Sequence, residues 1–478
     1  MIFTSGHFFF FFLLFYLCYL ATQNNLRTQN ITLLIASYFF YGFWDYRFLG
    51  LILISTFIDF FAAQFIQQNK KKQQDKRAFH WLLLSLSVNL GILGFFKYYN
   101  FFIESFMQLL SLLSIPTTSH TLEIILPVGI SFYTFQTMSY SIDVYRGRQK
   151  ATESPINFAL FVSFFPQLMA GPIERAKKLL PQIENKRNIS YSSFREGGWL
   201  ILWGVFKKVY IADNLAPYTH WAVNPGGAQT SIDVYLAMIA FSFQFYCDFS
   251  GYSDMARGLA KLMGFNLRLN FNLPFLASNP SELWRRWHIT LSNWFRDYVY
   301  GSLRKLHPSA LMNTTALLLT MLLVGLWHGA NWTFVAWGAG WGITLATHRV
   351  LQPFISTYTK LTPLVDKHTH WLGIILTFHI WLLWSVFFVS PDLSHAINMA
   401  LIMLTEFSGS SNSAADAARI LFYTSPLFFI QAIQYKQGRL DILKNSNRVL
   451  RLALYTSLLL LLWTNGAQNL NEFIYFQF

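Results

Sequence analysis

The chain has 478 residues, of which 54% are hydrophobic, 18% aromatic and only 12% charged, against about 25% charged in an ordinary soluble domain. So small a polar fraction cannot solvate a water-soluble globule of this length, and disorder, collagen and coiled coil are excluded on composition as well. The net charge of +14 resides entirely in four short segments, 70–77, 174–187, 281–305 and 436–451, each lying between apolar runs; that is the positive-inside pattern of cytoplasmic loops and not a nucleic-acid surface.

Twelve apolar stretches follow in chain order: 3–21, 31–45, 48–67, 79–96, 122–142, 197–213, 232–250, 310–327, 331–349, 371–390, 418–434 and 450–464. They predict an all-α polytopic membrane protein of about eleven crossings, with one of the twelve re-entrant. The first, FFFFFLLFYLCYL, is like a signal-peptide core, but it lacks a basic flank before it and a small-residue cleavage site after it, so it reads as a retained span. Both flanks of 155–172 are basic and prolines and a glycine interrupt it, which predicts a re-entrant hairpin rather than a crossing. Cys18 and Cys247 lie in apolar runs and are too few for a disulfide framework or a zinc site. No repeat or linker divides the chain, and a single membrane domain over 1–478 is expected.

The stretch from Asn279 opens with a helix-start signal, Asn279 as cap, Pro280 at the first position and Glu282 at the third. At 100° per residue, Trp284, Trp287, His288, Leu291, Trp294, Phe295 and Tyr298 share one face and Arg285, Arg286, Asn293 and Arg296 the other. This pattern predicts an interfacial amphipathic helix with a basic face toward cytosol and headgroups and His288 pointing inward.

Familiar catalytic signatures are missing: there is no P-loop, GxGxxG, HExxH or GxSxG, and none of the 12 histidines has an aspartate five positions later. Attention passes to ionisable groups in apolar company, which are costly there and functional by default. His328 leads, because no charged residue lies between Lys305 and Arg349. Burial at membrane depth favours the neutral imidazole, which can accept a proton. Gly325, Gly329, Gly338, Gly340 and Gly342 around it let a ligand or another helix approach the backbone closely. Gln136, Asp143 and Arg146, and Asp248, Ser250 and Asp254, are further polar residues in apolar runs. They either line a cavity or form helix-end pairs, and the sequence leaves both readings open.

Several long motifs then align with a known family: FFKYYNFF at 95–102, LPVGISFYTFQTMSYSIDVYRG at 126–147, FFPQLMAGPIER at 164–175, DFSGYSDMARGLAKLMG at 248–264, SELWRRWHITLSNWFRDYVY at 281–300, GLWHGANWTFVAWG at 325–338 and FIYFQF at 473–478. Through them the sequence resembles the membrane-bound O-acyltransferase (MBOAT) family, in its bacterial alginate O-acetyltransferase branch, over nearly its whole length. The resemblance implies a ring of tilted helices around a central tunnel in the bacterial cytoplasmic (inner) membrane. It places the WHG histidine, regarded as catalytic, on His328 and that of RWHITLS on His288, with Trp287, Trp327, Asn293, Gln136 and Asp248 as candidate substrate-binding residues. It further implies acyl transfer from a cytosolic donor, acetyl-CoA, with no tightly bound cofactor and no metal. His328 would serve as general base or acyl relay. The acceptor would be an extracytoplasmic polysaccharide, alginate-like or of the cell wall, reached with a separate SGNH-like acetyltransferase partner. FIYFQF or an outer loop would be the docking element. The competing readings are a transporter or flippase and, within the family, a D-alanyl transferase for teichoic acid.

Overall fold

Side-chain caps start the helices where the sequence places them: Ser5, Asn25, Ser154, Asn279, Ser309 and Asn447 each accept a hydrogen bond from a backbone N–H of the first helical turn. The structure is a computed structural model that describes residues 1–116, 118, 121–169, 171–224, 227–228, 230–307, 309–359, 363–405, 407–443, 446–468 and 471–476, with 354–359, 363–368 and 476 described by backbone alone. Ala170 of the expected hairpin, and Gln477 and Phe478 of the terminal motif, lie outside the described residues. Among the described residues every regular element is helical, and each of the twelve apolar stretches contains helix, though not always along its full length. Five of these helices are long and apolar enough to cross a membrane: Tyr46–Lys71, Asp75–Leu112, Ser231–Leu262, Ala310–His328 and Thr369–Val389.

The chain forms two compact units. The first, residues 1–201 and 255–268, carries α1 (Gly6–Ala21), α2 (Leu26–Gly42), α3 (Leu49–Lys71), α4 (Asp75–Leu93), α5 (Tyr99–Leu112), α6 (Ile130–Tyr145), the short α7 (Pro155–Ser163), α8 (Phe165–Leu168) and α9 (Ala176–Glu184), and most of α10 (Tyr191–Val205). A buried carboxylate pins three of them. Asp59 of α3 accepts from Ser85 and Asn89 of α4 and from Ser141 of α6, the last two at 2.7 and 2.8 Å, so a charge that burial would penalise is fully hydrogen-bonded. The apolar stretch 122–142 is helical only from Ile130. Pro127 and the left-handed Gly129 at φ +75° stop the helix from extending further back, and a Cβ on Gly129 would meet the Leu168 carbonyl oxygen at 2.5 Å.

The second unit, residues 202–254 and 269–478, starts with a π-helical stretch, Phe206–Ala212, then α11 (Asp213–Val223) and the long α12 (Ser231–Leu262), whose last turns belong to the first unit. It continues through α13 (Pro280–Arg286), α14 (Ile289–Phe295), a second π-helical stretch Arg296–Tyr300, α15 (Gly301–Leu303), α16 (Ala310–His328), α17 (Trp332–Thr359), α18 (Pro363–Val389), α19 (Leu393–Thr405), α20 (Ser413–Gln437) and α21 (Arg448–Asn465). Helices α16 and α17 form a hairpin that crosses backbone to backbone. A Cβ on Gly338 would lie 2.3 Å from the Met321 carbonyl oxygen, and one on Gly325 would lie 2.2 Å from that of Phe334. Gly338→Val is therefore expected to push the hairpin apart and destabilise the protein by about 1–3 kcal/mol or more, read as a lower melting temperature of the detergent-solubilised protein.

Candidate active site

His328 is the last residue of α16, placed there because Gly329 continues in extended backbone and Asn331 caps the next helix by accepting from the Thr333 N–H at 3.0 Å. The side chain is 2% exposed. Its ring is boxed by Trp337 at 5.0 Å, Trp327 at 5.1 Å, Phe388 at 5.2 Å and Tyr475 at 5.7 Å between centroids.

His288 reaches the interior by a different device from the one its sequence predicts. The start signal holds: Asn279 accepts from the Glu282 N–H at 2.9 Å, and the Glu282 carboxylate takes the Ser278 N–H at 2.8 Å. The single amphipathic helix expected from that start, however, is two short helices. After Arg286 the backbone is extended at Trp287 (φ −102°, ψ 131°) and left-handed at His288 (φ 38°, ψ 54°), and α14 begins beyond the kink. The break turns Trp287 into the core, where its ring packs on Trp381 at 4.4 Å, Phe271 at 5.0 Å and Phe245 at 5.2 Å. Burying an indole stabilises by roughly 3 kcal/mol or more, which outweighs the roughly 1–2 kcal/mol of a left-handed non-glycine residue. The kinked backbone stays satisfied, since the Ile289 N–H donates to the Asn270 carbonyl at 2.9 Å and the Asn272 N–H to the Arg286 carbonyl at 2.9 Å. Burial drives the His288 imidazole far down, to about 3, so this ring is uncharged at physiological pH.

Two aromatic rings touch both histidines. Trp327 lies 5.7 Å from the His288 ring and Tyr475 6.4 Å from it. The Tyr475 hydroxyl and His328 Nδ1 form a hydrogen bond at 3.2 Å. Tyr475 arrives on a strap, residues 471–476, that follows α21 and is held by a buried ion cluster. Lys208 Nζ lies 2.9 Å from Asp248 and 3.0 Å from Asp213, and Asp248 also accepts the Ile474 N–H at 2.8 Å. Beside this cluster, Lys207 is held by Ser250 at 2.9 Å and Asp254 at 2.7 Å. The π-helical stretch carrying both lysines is a geometry often found where side chains must be re-aimed. Removing one member of such a buried pair costs about 3–5 kcal/mol.

A cavity of about 430 Å³ is lined by Trp284, Asn293, Met321, Val324 and Ile289, the residue after His288, with Arg285 and Arg296 supplying positive charge; neither histidine lines it. Val324 is one turn before His328 on α16. The predicted residues thus separate. His328, His288 and Trp327 meet around Tyr475; Asn293 lines the cavity; Trp287 is a buried wedge beneath the kink; Asp248 holds Lys208 and the strap. Gln136 belongs to the first unit, where its amide donates to the Phe161 carbonyl at 2.5 Å. Sequence reasoning missed Tyr475 as a site residue and Lys208 altogether. The one signal for Tyr475 was the terminal FIYFQF motif, which reads as a docking element.

Comparison with known proteins agrees in kind. A family model described as "MBOAT, membrane-bound O-acyltransferase family" matches residues 48–390. Similar proteins include the "Probable alginate O-acetylase AlgI" of Azotobacter vinelandii, 42% identical over 352 residues that cover 74% of this chain and 69% of that protein. The protein of the same name in Pseudomonas syringae pv. tomato is 38% identical over 451 residues, 92% of this chain and 83% of that one. The "Peptidoglycan O-acetyltransferase" of Helicobacter pylori is 35% identical over 407 residues, 79% and 74% of the two chains.

Proposed function

Because the chain belongs to the membrane-bound O-acyltransferase family and is a membrane acyltransferase, we propose that it takes acetyl groups from acetyl-CoA at the cytosolic side and delivers them for O-acetylation of an extracytoplasmic polysaccharide. The observation that carries this reading is the Tyr475 hydroxyl on His328 Nδ1 at 3.2 Å, the arrangement of a nucleophile with its base. The apolar cavity, with two arginines in its lining, suits a thioester arm that ends in a polyanionic carrier.

With His328 protonated on Nε2, Nδ1 accepts the phenolic proton. The Tyr475 oxygen attacks the acetyl carbonyl, the carbon–sulfur bond breaks, and the departing thiolate takes the proton from His328. An aryl ester remains on Tyr475. Because a phenol has a pKa near 10, that ester stays activated enough to pass its acetyl group to a second hydroxyl, which restores the phenol. His288, neutral and close to both Trp327 and Tyr475, would orient the acetyl carbonyl or stabilise its oxyanion. Onward transfer would fall to a separate serine-based, SGNH-like partner outside the cytoplasmic membrane. Alginate-like and cell-wall glycans are the acceptors that the named relatives suggest.

The test is to incubate the purified full chain with acetyl-labelled acetyl-CoA and cleave it after Glu472, which frees the FIYFQF peptide. Label on that peptide with stoichiometric release of thiol is expected. Polysaccharide acetylation without labelled peptide overturns the tyrosine relay, and absence of thiol release overturns the donor.

A further inference from the structure

We propose that Asp248 is a positioning residue, assisted by Lys208, that holds the C-terminal strap so that Tyr475 meets His328. The proposal rests on the role given to Tyr475 above, but its evidence is separate. After α21 the chain returns along one set of elements: the Asn465 carbonyl accepts from Asn214 at 2.9 Å, and the Ala467 N–H donates to the Val209 carbonyl at 3.1 Å. Lys208 Nζ then reaches the Glu472 carbonyl at 3.4 Å, and Asp248 takes the Ile474 N–H at 2.8 Å. Two polar contacts thus fix the backbone immediately before Tyr475, one on each side of Phe473. Phe473 itself is fully buried, packed on Tyr252 at 4.7 Å and Phe249 at 5.7 Å.

Charge accounting points the same way. Asp213 alone, 3.0 Å from Lys208, already neutralises that buried ammonium. Asp248 is a second carboxylate that burial penalises; its remaining oxygen accepts the Ile474 N–H next to Tyr475, whereas Asp213 meets the strap farther back, at the Asn471 side chain. Positioning matters at this level because a displacement of about 1 Å of a reacting group can lower a rate by about 100-fold. The strap carries no regular backbone pairing beyond one short turn, Ile474–Phe476, to hold that distance by itself.

Asp248→Ala leaves Lys208 paired with Asp213, and Ile474→Pro removes the donated N–H while leaving all three charges in place. Both are expected to lower labelling of the peptide released after Glu472 by about 100-fold with the KM for acetyl-CoA unchanged. Both should also speed hydrogen exchange across the strap. Asp248→Asn, which keeps an acceptor oxygen toward Ile474, is expected to recover at least tenfold over Asp248→Ala. Parental labelling in either Ile474→Pro or Asp248→Ala, or a raised KM in place of a lowered kcat, overturns the positioning role, as does unchanged strap exchange. If Asp248→Ala does not accumulate, Ile474→Pro decides alone. If the parent protein is itself never labelled on Tyr475, the relay fails, while the exchange data still judge whether Asp248 holds the strap.

Discussion

Membranes carrying His328→Ala are expected to contain the protein at parental abundance and to transfer acetyl groups about 1,000-fold more slowly or worse. A positioned general base contributes about 100- to 10,000-fold, and the rings of Trp327, Trp337 and Phe388 packed on His328 cannot accept the proton in its place. Abundance is the necessary control, since a buried side chain also packs. His328→Gln sharpens the comparison, because an amide can still bond the Tyr475 hydroxyl but cannot take up its proton. Loss in both variants assigns proton transfer to the imidazole. Activity within tenfold of the parent in His328→Gln would leave His328 a mere support for Tyr475.

The helices and the first histidine were legible because each depends on local composition. An apolar run long enough for the bilayer becomes a helix whatever its neighbours do, and His328 is conspicuous near the middle of the charge-free interval from Lys305 to Arg349, whereas His307 and His348 lie at its two ends. The kink at Trp287–His288 was not legible. Seven consecutive residues on either side obey the 100° rule, and what breaks the rule is the pull of Phe245, Phe271 and Trp381 on one indole, contacts made by distant segments. Asp248 stood out as a carboxylate in apolar company, but Lys208 did not: a Lys–Lys pair near the end of an apolar run reads as an interfacial anchor, and only folding shows that it is enclosed between Asp213 and Asp248. Tyr475 is 147 residues from His328. No periodicity connects positions that far apart, so a terminal aromatic motif read as something that docks outward, where its Phe473 and Tyr475 pack inward.

That inward strap yields the second large effect. Tyr475→Phe deletes one oxygen and keeps the ring against Phe249 at 4.7 Å, Phe245 at 5.6 Å and Phe473 at 5.6 Å. Loss of a single hydrogen bond costs stability only about 0.5–1.5 kcal/mol, so the variant should fold and melt close to the parent. Acetyl delivery to polysaccharide should nevertheless fall about 1,000-fold or more, because the nucleophile that His328 activates is gone. Thiol release should fall less than acetyl delivery does, since His328 can still deprotonate a water in the vacated position and hydrolyse the thioester slowly. The two substitutions touch one proton-transfer pair, so the double variant His328→Ala with Tyr475→Phe should be no slower than His328→Ala alone. Full delivery by Tyr475→Phe would instead make the acceptor hydroxyl an external one that reaches His328 directly, and the phenol would be only its placeholder.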